Sequence, residues 1–177
     1  MYKLAIFDFD GTLVDSAPGI VEVMREVVVE YGFSDETLEL WSHLIGVPLL
    51  RQIEILFPDH KPEFHQEVTA RYRDIYDLKA IEICPLFPGL EEMLRGLRKA
   101  EILISIASSK RRHLIDNLLE YHSLTHYFAM IVGANEVTKH KPEPESVFIT
   151  LEKLKIAPRD AVVIGDSSFD LDMAHNA

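Results

Sequence analysis

Cysteine is nearly absent: Cys84 is the only one among 177 residues, so neither an intrachain disulfide nor a cysteine-based zinc site can form. A reducing cytoplasm is the simplest expected home. Basic charge is also scarce, with 18 Lys+Arg against 29 Asp+Glu and a net charge of −11. With no basic run that stands out, nucleic acid and anionic membrane surfaces are not expected partners, and an anionic ligand must be met by local cations. No apolar stretch approaches the roughly 18 residues that span a bilayer. The first apolar run is broken by Asp8 too early for a signal peptide. Internal repeats and low-complexity tracts are lacking too. What remains is ordinary for a globular protein, 47% hydrophobic and 27% charged, in one domain or one domain with a sizeable insertion.

The most informative stretch is Asp8-Phe9-Asp10-Gly11-Thr12-Leu13-Val14-Asp15-Ser16, directly after the apolar run Leu4-Ala5-Ile6-Phe7. The run reads as a buried strand of parallel type. Alternation along it sends Asp8 and Asp10 to one side and Phe7 and Phe9 to the other. Two carboxylates so close repel each other, and a bound cation, a lysine or a shared proton relieves this. A calcium loop fails on spacing: with Asp8 first, Leu13 falls where the invariant glycine belongs and Gly19 where the bidentate glutamate belongs. A plain turn survives only if nothing else converges there.

Further on, helical periodicity dominates. Ile20, Met24, Val27, Val28 and Tyr31 mark one amphipathic helix, with Ser16 as cap, Pro18 in its first turn and Gly32 as its stop. Ser34 caps a second helix that carries Leu38, Trp41 and Ile45 and ends near Gly46. Pro48 opens a third with Ile53, Leu56 and Phe57, and Pro62 opens a fourth through Phe64, Val68, Tyr72 and Ile75. Four helices are too many for a single crossover. Residues 16–80 are therefore expected to be an inserted helical subdomain, with residues 1–15 and 81–177 forming the main domain. After the punctuation of Cys84-Pro85-Leu86-Phe87-Pro88-Gly89, helix and strand alternate through the apolar runs Ile102–Ala107, Met130–Val132 and Ala161–Ile164. Such βαβα order predicts an α/β fold, a three-layer Rossmann-like parallel sheet covered by helices.

Open parallel sheets bind ligands at the carboxyl ends of their strands. The first strand ends in Asp8 and Asp10, the second in Ser108-Ser109-Lys110, and the last in Gly165-Asp166-Ser167-Ser168-Phe169-Asp170. A proline-restrained loop, Lys139-His140-Lys141-Pro142-Glu143-Pro144, adds an ammonium. Singly, each has a plainer explanation: Ser108 and Ser109 as helix caps, Asp166 and Asp170 as capping or first-turn acids, Lys141 as one more solvated lysine. Jointly, they suit phosphoryl transfer with a hard divalent cation: oxygen ligands for Mg2+, a nucleophile, a hydroxyl donor and a positive charge for phosphate oxygens.

DFDGTLVDS at 8–16, ASSK at 107–110, KPEPE at 141–145 and GDSSFDLDMAHNA at 165–177 resemble the four motifs of the haloacid dehalogenase-like (HAD) superfamily. The helical insertion after the first motif is similar to the cap of its phosphoglycolate phosphatase-like branch. The resemblance implies that Asp8 is a nucleophile forming an aspartyl-phosphate and that Asp10 protonates the leaving oxygen and then activates water. It implies that Ser108, with Ser109 beside it, binds the phosphoryl group and that Lys141 offsets its charge. Asp166 is implied to bind magnesium with Asp8 and the Asp10 carbonyl, Asp170 assisting through water. Members that act as dehalogenases lack the second aspartate, so Asp10 favours a phosphatase.

Two departures from the pattern stand out. Ala100-Glu101 occupies the place of a helix-ending glycine, and the chain stops at Ala177 where relatives continue into at least one more strand. The expectation is accordingly an incomplete core. Gly46 and Arg51 are candidate specificity residues in the helical insertion, since a guanidinium suits a carboxylate or phosphate. Arg51 also reads as a solvated helix residue, and His122 and His126 read as surface histidines. The expected activity is a Mg2+-dependent phosphatase on a small phosphorylated metabolite, with 2-phosphoglycolate leading and pyrophosphate, sugar phosphates and nucleotides open. A phosphosugar mutase on the same scaffold and a phospho-accepting regulatory domain are the alternatives.

Overall fold

The computed structural model describes residues 2–177. Four strands, β1 (Leu4–Phe7), β2 (Leu103–Ala107), β3 (Met130–Val132) and β4 (Ala161–Ile164), form one parallel sheet in the order β3-β2-β1-β4. β1 is interior and all four of its residues are buried, which accounts for its unbroken apolar sequence. The carboxyl ends of three strands are level: Phe7 pairs with Ile106 on one side and with Ile164 on the other. The residues that follow them start from one edge of the sheet. β4 pairs with β1 alone among the described residues, and its four residues are half-buried.

The chain divides into two compact units, one comprising the segment up to Asp15 and Pro85–Ala177, the other Ser16–Cys84. In the first, α5 (Leu90–Lys99), α6 (Arg112–Tyr121), α7 (Glu145–Leu154) and α8 (Ser168–His175) alternate with the strands. Leu4 and Ile6, on one face of β1, pack with Val147 and Leu151 of α7 and Met173 of α8. This is the expected α/β architecture.

The second unit consists of α1 (Ala17–Tyr31), α2 (Asp35–Ser42), α3 (Leu49–Leu56) and α4 (Pro62–Ile83). α4 continues past residue 80 because Asp77–Ile83 contains neither glycine nor proline to stop it. Trp41 is fully buried and donates its indole N–H to Gln52 Oε1 at 2.7 Å, and Gln52 Nε2 in turn donates to the Val47 carbonyl at 2.7 Å. That relay satisfies the one polar atom of a large apolar side chain. Ser34 caps α2 as expected, accepting from the Thr37 N–H at 3.3 Å. Ser16 does not cap α1. Its backbone is already helical (φ −87°, ψ −17°), which turns the hydroxyl away from the first turn, and Pro18 offers no N–H there.

α5 closes with a left-handed residue although no glycine is present: Glu101 takes φ 59°, while the Ile102 N–H returns to the Leu97 carbonyl at 3.0 Å. The hydrogen-bonding pattern of a glycine stop is thus retained at the steric cost of a β-carbon. Glu101→Gly is expected to stabilise the fold by about 0.5–1 kcal/mol, the strain relieved slightly outweighing the added freedom of the unfolded chain. Chemical denaturation of both proteins measures this, and a destabilised variant would contradict it.

Candidate active site

At the end of β1 the Asp8 N–H still donates to the Ile164 carbonyl at 2.8 Å, and the chain then folds into a tight turn. The Leu13 and Val14 N–H groups both return to the Phe9 carbonyl, and the Gly11 N–H reaches Val14 O at 2.9 Å. Phe9 is fully buried beneath this turn. Gly11 holds φ +74°, and a β-carbon there would run into the Asp166 carboxylate. Glycine is therefore required on two grounds, its backbone conformation and the close approach of an acid.

Asp8 and Asp10 do not share one cation; each has its own lysine. Lys141 Nζ lies 2.9 Å from Asp8 Oδ1 and 2.5 Å from Asp170 Oδ1. Lys110 Nζ lies 2.9 and 3.2 Å from the two oxygens of Asp10. Both lysine side chains are buried, 8% and 5% exposed, which an ammonium tolerates only when paired. Lys110 stands out at the second strand end but receives no role from sequence. Its signal is position, two residues after Ser108 on a strand level with β1.

Asp170 is almost wholly enclosed, at 1% exposure. Its Oδ2 accepts from the Ser167 N–H at 3.1 Å and the Ser167 hydroxyl at 2.6 Å, a capping box at the start of α8, while Oδ1 faces Lys141. Asp166 is exposed and accepts from the Thr12 hydroxyl at 3.4 Å. Ser108 is buried, and its Oγ accepts the Lys110 N–H at 3.2 Å. Neither Ser108 nor Ser109 caps the next helix, since α6 starts only at Arg112 with no side-chain cap. Ser109 is exposed. Within the helical unit, Gly46 is exposed at φ 102°, and Arg51 is exposed and paired with Glu54 at 3.0 Å.

The residues present fit a hard divalent cation. Asp8, Asp166 and Asp170 each bring a carboxylate oxygen within 4.8 Å of the others. Asp8 Oδ1 is buried and has no hydrogen-bond donor, its contact with Lys141 being an ion pair by distance only. Three carboxylates beside a single ammonium leave the negative excess that Mg2+ matches, and all-oxygen donors are its preferred chemistry. The carboxylate of Asp10 stands apart from this group, on Lys110.

Residues 5–177 match the family model of the haloacid dehalogenase-like hydrolases, and the chain belongs to that family. Within it the chain is phosphoglycolate phosphatase-like. The phosphoglycolate phosphatase of Photobacterium profundum is 31% identical over 183 residues, covering 99% of this chain and 80% of its own. A solved structure from Bacteroides fragilis, assigned to the haloacid dehalogenase-like hydrolases, superposes with a TM-score of 0.91 at 32% identity, covering 99% of this chain and 84% of that one. Another from Lactobacillus plantarum, assigned as a phosphoglycolate phosphatase, gives 0.85 at 28%, with 100% and 83% covered.

Burial pushes the Asp8 carboxyl above its ordinary value of 3.8, with Lys141 pulling the other way and Asp170 adding to the rise. In the metal-free protein, Asp8 is expected to titrate above the usual aspartate range. Lys141→Met should move it higher still, because the cation that favours the carboxylate is gone. Carbon-13 NMR titration of the labelled carboxyl reads both, and a downward movement in the variant would overturn the assignment of Lys141 as its partner.

Proposed function

We propose that this chain is a Mg2+-dependent phosphatase of small phosphate monoesters that works through an aspartyl-phosphate on Asp8, with 2-phosphoglycolate as the leading substrate. The enzyme class is phosphoric monoester hydrolase. The observation that carries the reading is the half-buried Asp8 carboxylate, its Oδ1 enclosed, flanked by Lys141 and by two further acids at one end of the sheet. Membership of a hydrolase family and the phosphoglycolate phosphatases among its relatives support it.

An Asp8 oxygen attacks phosphorus as the ester P–O bond breaks, and a proton on Asp10 passes to the departing alkoxide. Water then attacks the acyl phosphate, Asp10 takes its proton, and inorganic phosphate leaves Asp8 free. Lys110 Nζ lies within hydrogen-bond reach of both Asp10 oxygens, so it can donate to the protonated carboxyl at the first transfer and pair with the carboxylate that takes the proton at the second. Ser108 Oγ, already accepting from the Lys110 N–H, keeps its own proton for a phosphoryl oxygen. Lys141 offsets charge on that group and on Asp8. Asp8, Asp166 and the Asp10 carbonyl would hold magnesium, Asp170 assisting through water; when bound, the ion supplies charge neutralisation at the phosphoryl oxygens. The helical unit Ser16–Cys84 acts as a cap that selects the leaving group, and Gly46 and Arg51 are its candidate reading residues. No helix among the described residues is long and apolar enough to cross a membrane.

Phosphate release from a panel of monoesters tests the reading. Many turnovers per chain are expected with Mg2+ and none in excess chelator; at most one phosphate per chain would indicate a phospho-accepting switch instead. Asp8→Asn should abolish both turnover and phosphoenzyme, a loss of about 10³-fold or more. A phosphoenzyme surviving in that variant would remove Asp8 as nucleophile.

A separate expectation concerns substrate choice. Arg51→Ala should raise KM for a carboxylate-bearing ester more than for an uncharged one. Steady-state kinetics on such a pair decides it, and equal effects would leave Arg51 a surface residue paired with Glu54.

A further inference from the structure

Lys141 belongs to no strand or helix: it rides on the loop Thr138–Pro144, which precedes α7. Two of the residues there are prolines and contribute no backbone donor. Few internal bonds hold so short a loop. The Glu143 N–H donates to the His140 carbonyl at 3.0 Å, and the Asn176 side chain donates to the Pro142 carbonyl at 3.1 Å. Yet the loop must place an ammonium between Asp8 and Asp170 with its side chain 8% exposed.

One side chain closes the loop. Glu145, the first residue of α7, turns back so that both its oxygens accept the Thr138 N–H at 3.1 Å. Its Oε2 also accepts the Thr138 hydroxyl at 2.9 Å and the Lys139 N–H at 2.6 Å. Three donors thus converge on one carboxylate, joining the start of the loop to its end with Lys141 in between. Contacts of this kind to a charged acceptor are stronger than neutral ones, and these donors hold the Glu145 carboxyl below its ordinary value. Ser146 and Val147, the next two residues, are buried and anchor the same turn to the core.

We infer that Glu145 is a positioning residue for the reaction: it clamps the Lys141 loop shut and so fixes the ammonium at the Asp8 and Asp170 carboxylates. Its effect on turnover rests on the phosphatase reading; its effect on Lys141 does not. Glu145 touches neither carboxylate and acts wholly through the loop. Opening the clamp frees the loop to move by distances to which transition-state interactions are sensitive, while the phosphoryl-binding groups on the strands stay in place.

The test uses the full chain and Glu145→Gln, which keeps the shape of the side chain but loses the charge and turns an amide N–H toward the backbone donors. Two readouts are taken. Acetylation by sulfo-N-hydroxysuccinimide acetate, mapped by mass spectrometry, reports the accessibility of each lysine. Steady-state kinetics on the best ester of the panel report catalysis. Lys141 is expected to label several-fold faster in the variant while Lys110, equally buried on a strand end, does not change. The kcat is expected to fall by about tenfold with KM little altered. Thr138→Val, which removes only the hydroxyl donor, should give a smaller change of the same kind and serves if Glu145→Gln does not fold. Unchanged Lys141 labelling and kcat would overturn the inference, as would Lys110 labelling accelerated by the same factor, which marks general loosening. A wild-type chain that turns over no ester would refute the phosphatase reading alone, because the labelling comparison still decides the clamp.

Discussion

An ammonium group enclosed by carboxylates is the constraint around which these strand ends are arranged. Stripping the water from Lys141, Asp8 and Asp170 costs several kcal/mol per ion, and only mutual pairing makes that tolerable. Remove Lys141 and the two carboxylates lose the ammonium they share. The groups come from three places far apart in sequence: the end of β1, a proline-bounded loop and the first turn of α8. The fold supports the cluster by aligning strand ends. Phe7 pairs with both Ile106 and Ile164, so Asp8 and the residues after Ile164 leave the sheet together.

Asp170 shows why structural and functional explanations of one residue need not compete. Read as an acid in the first turn of a helix, it should cap α8, and it does, through Ser167. A carboxylate has two oxygens, however, and the capping box uses one. The other is thereby aimed at Lys141, in a rotamer that the cap itself locks. Gly165 completes the arrangement, because a β-carbon there would collide with the Asp170 side chain. A helix start has become a rigid mount for a charged group.

What could be read from the sequence was whatever carries a local signal. Unbroken apolar runs located the strands, and the polar residues directly after them marked the ends where Asp8, Ser108 and Asp166 stand. Pairings between such ends could not be read. Lys110 reaches Asp10 across 100 residues, and only the β1–β2 register brings them together. Pattern rules also err where two local preferences conflict. Ser16 is a good capping residue, but its own backbone is already helical and Pro18 removes one of the two N–H groups that a cap could take. At the end of α5 the absence of glycine suggests a weak stop, yet Glu101 accepts the left-handed conformation and the helix ends on schedule, since Leu97 and Ile102 still meet. The closure by Glu145 was hidden for another reason: KPEPE reads as a run of prolines and acids, and nothing in it says which acid turns back.

Charge balance, finally, limits what such a site can accept. Four carboxylates, on Asp8, Asp10, Asp166 and Asp170, face two ammoniums, on Lys110 and Lys141, in a chain that is already strongly acidic. A phosphate dianion approaching this group alone would meet net repulsion at short range, where the surrounding protein screens poorly. Neither lysine can turn to it without loss, because each already compensates a buried or half-buried acid. Added positive charge would relieve that repulsion, and the carboxylate oxygens of Asp8, Asp166 and Asp170 lie close enough to one another to hold it. The excess of acid that repels an anionic ligand is what would recruit the cation that admits it.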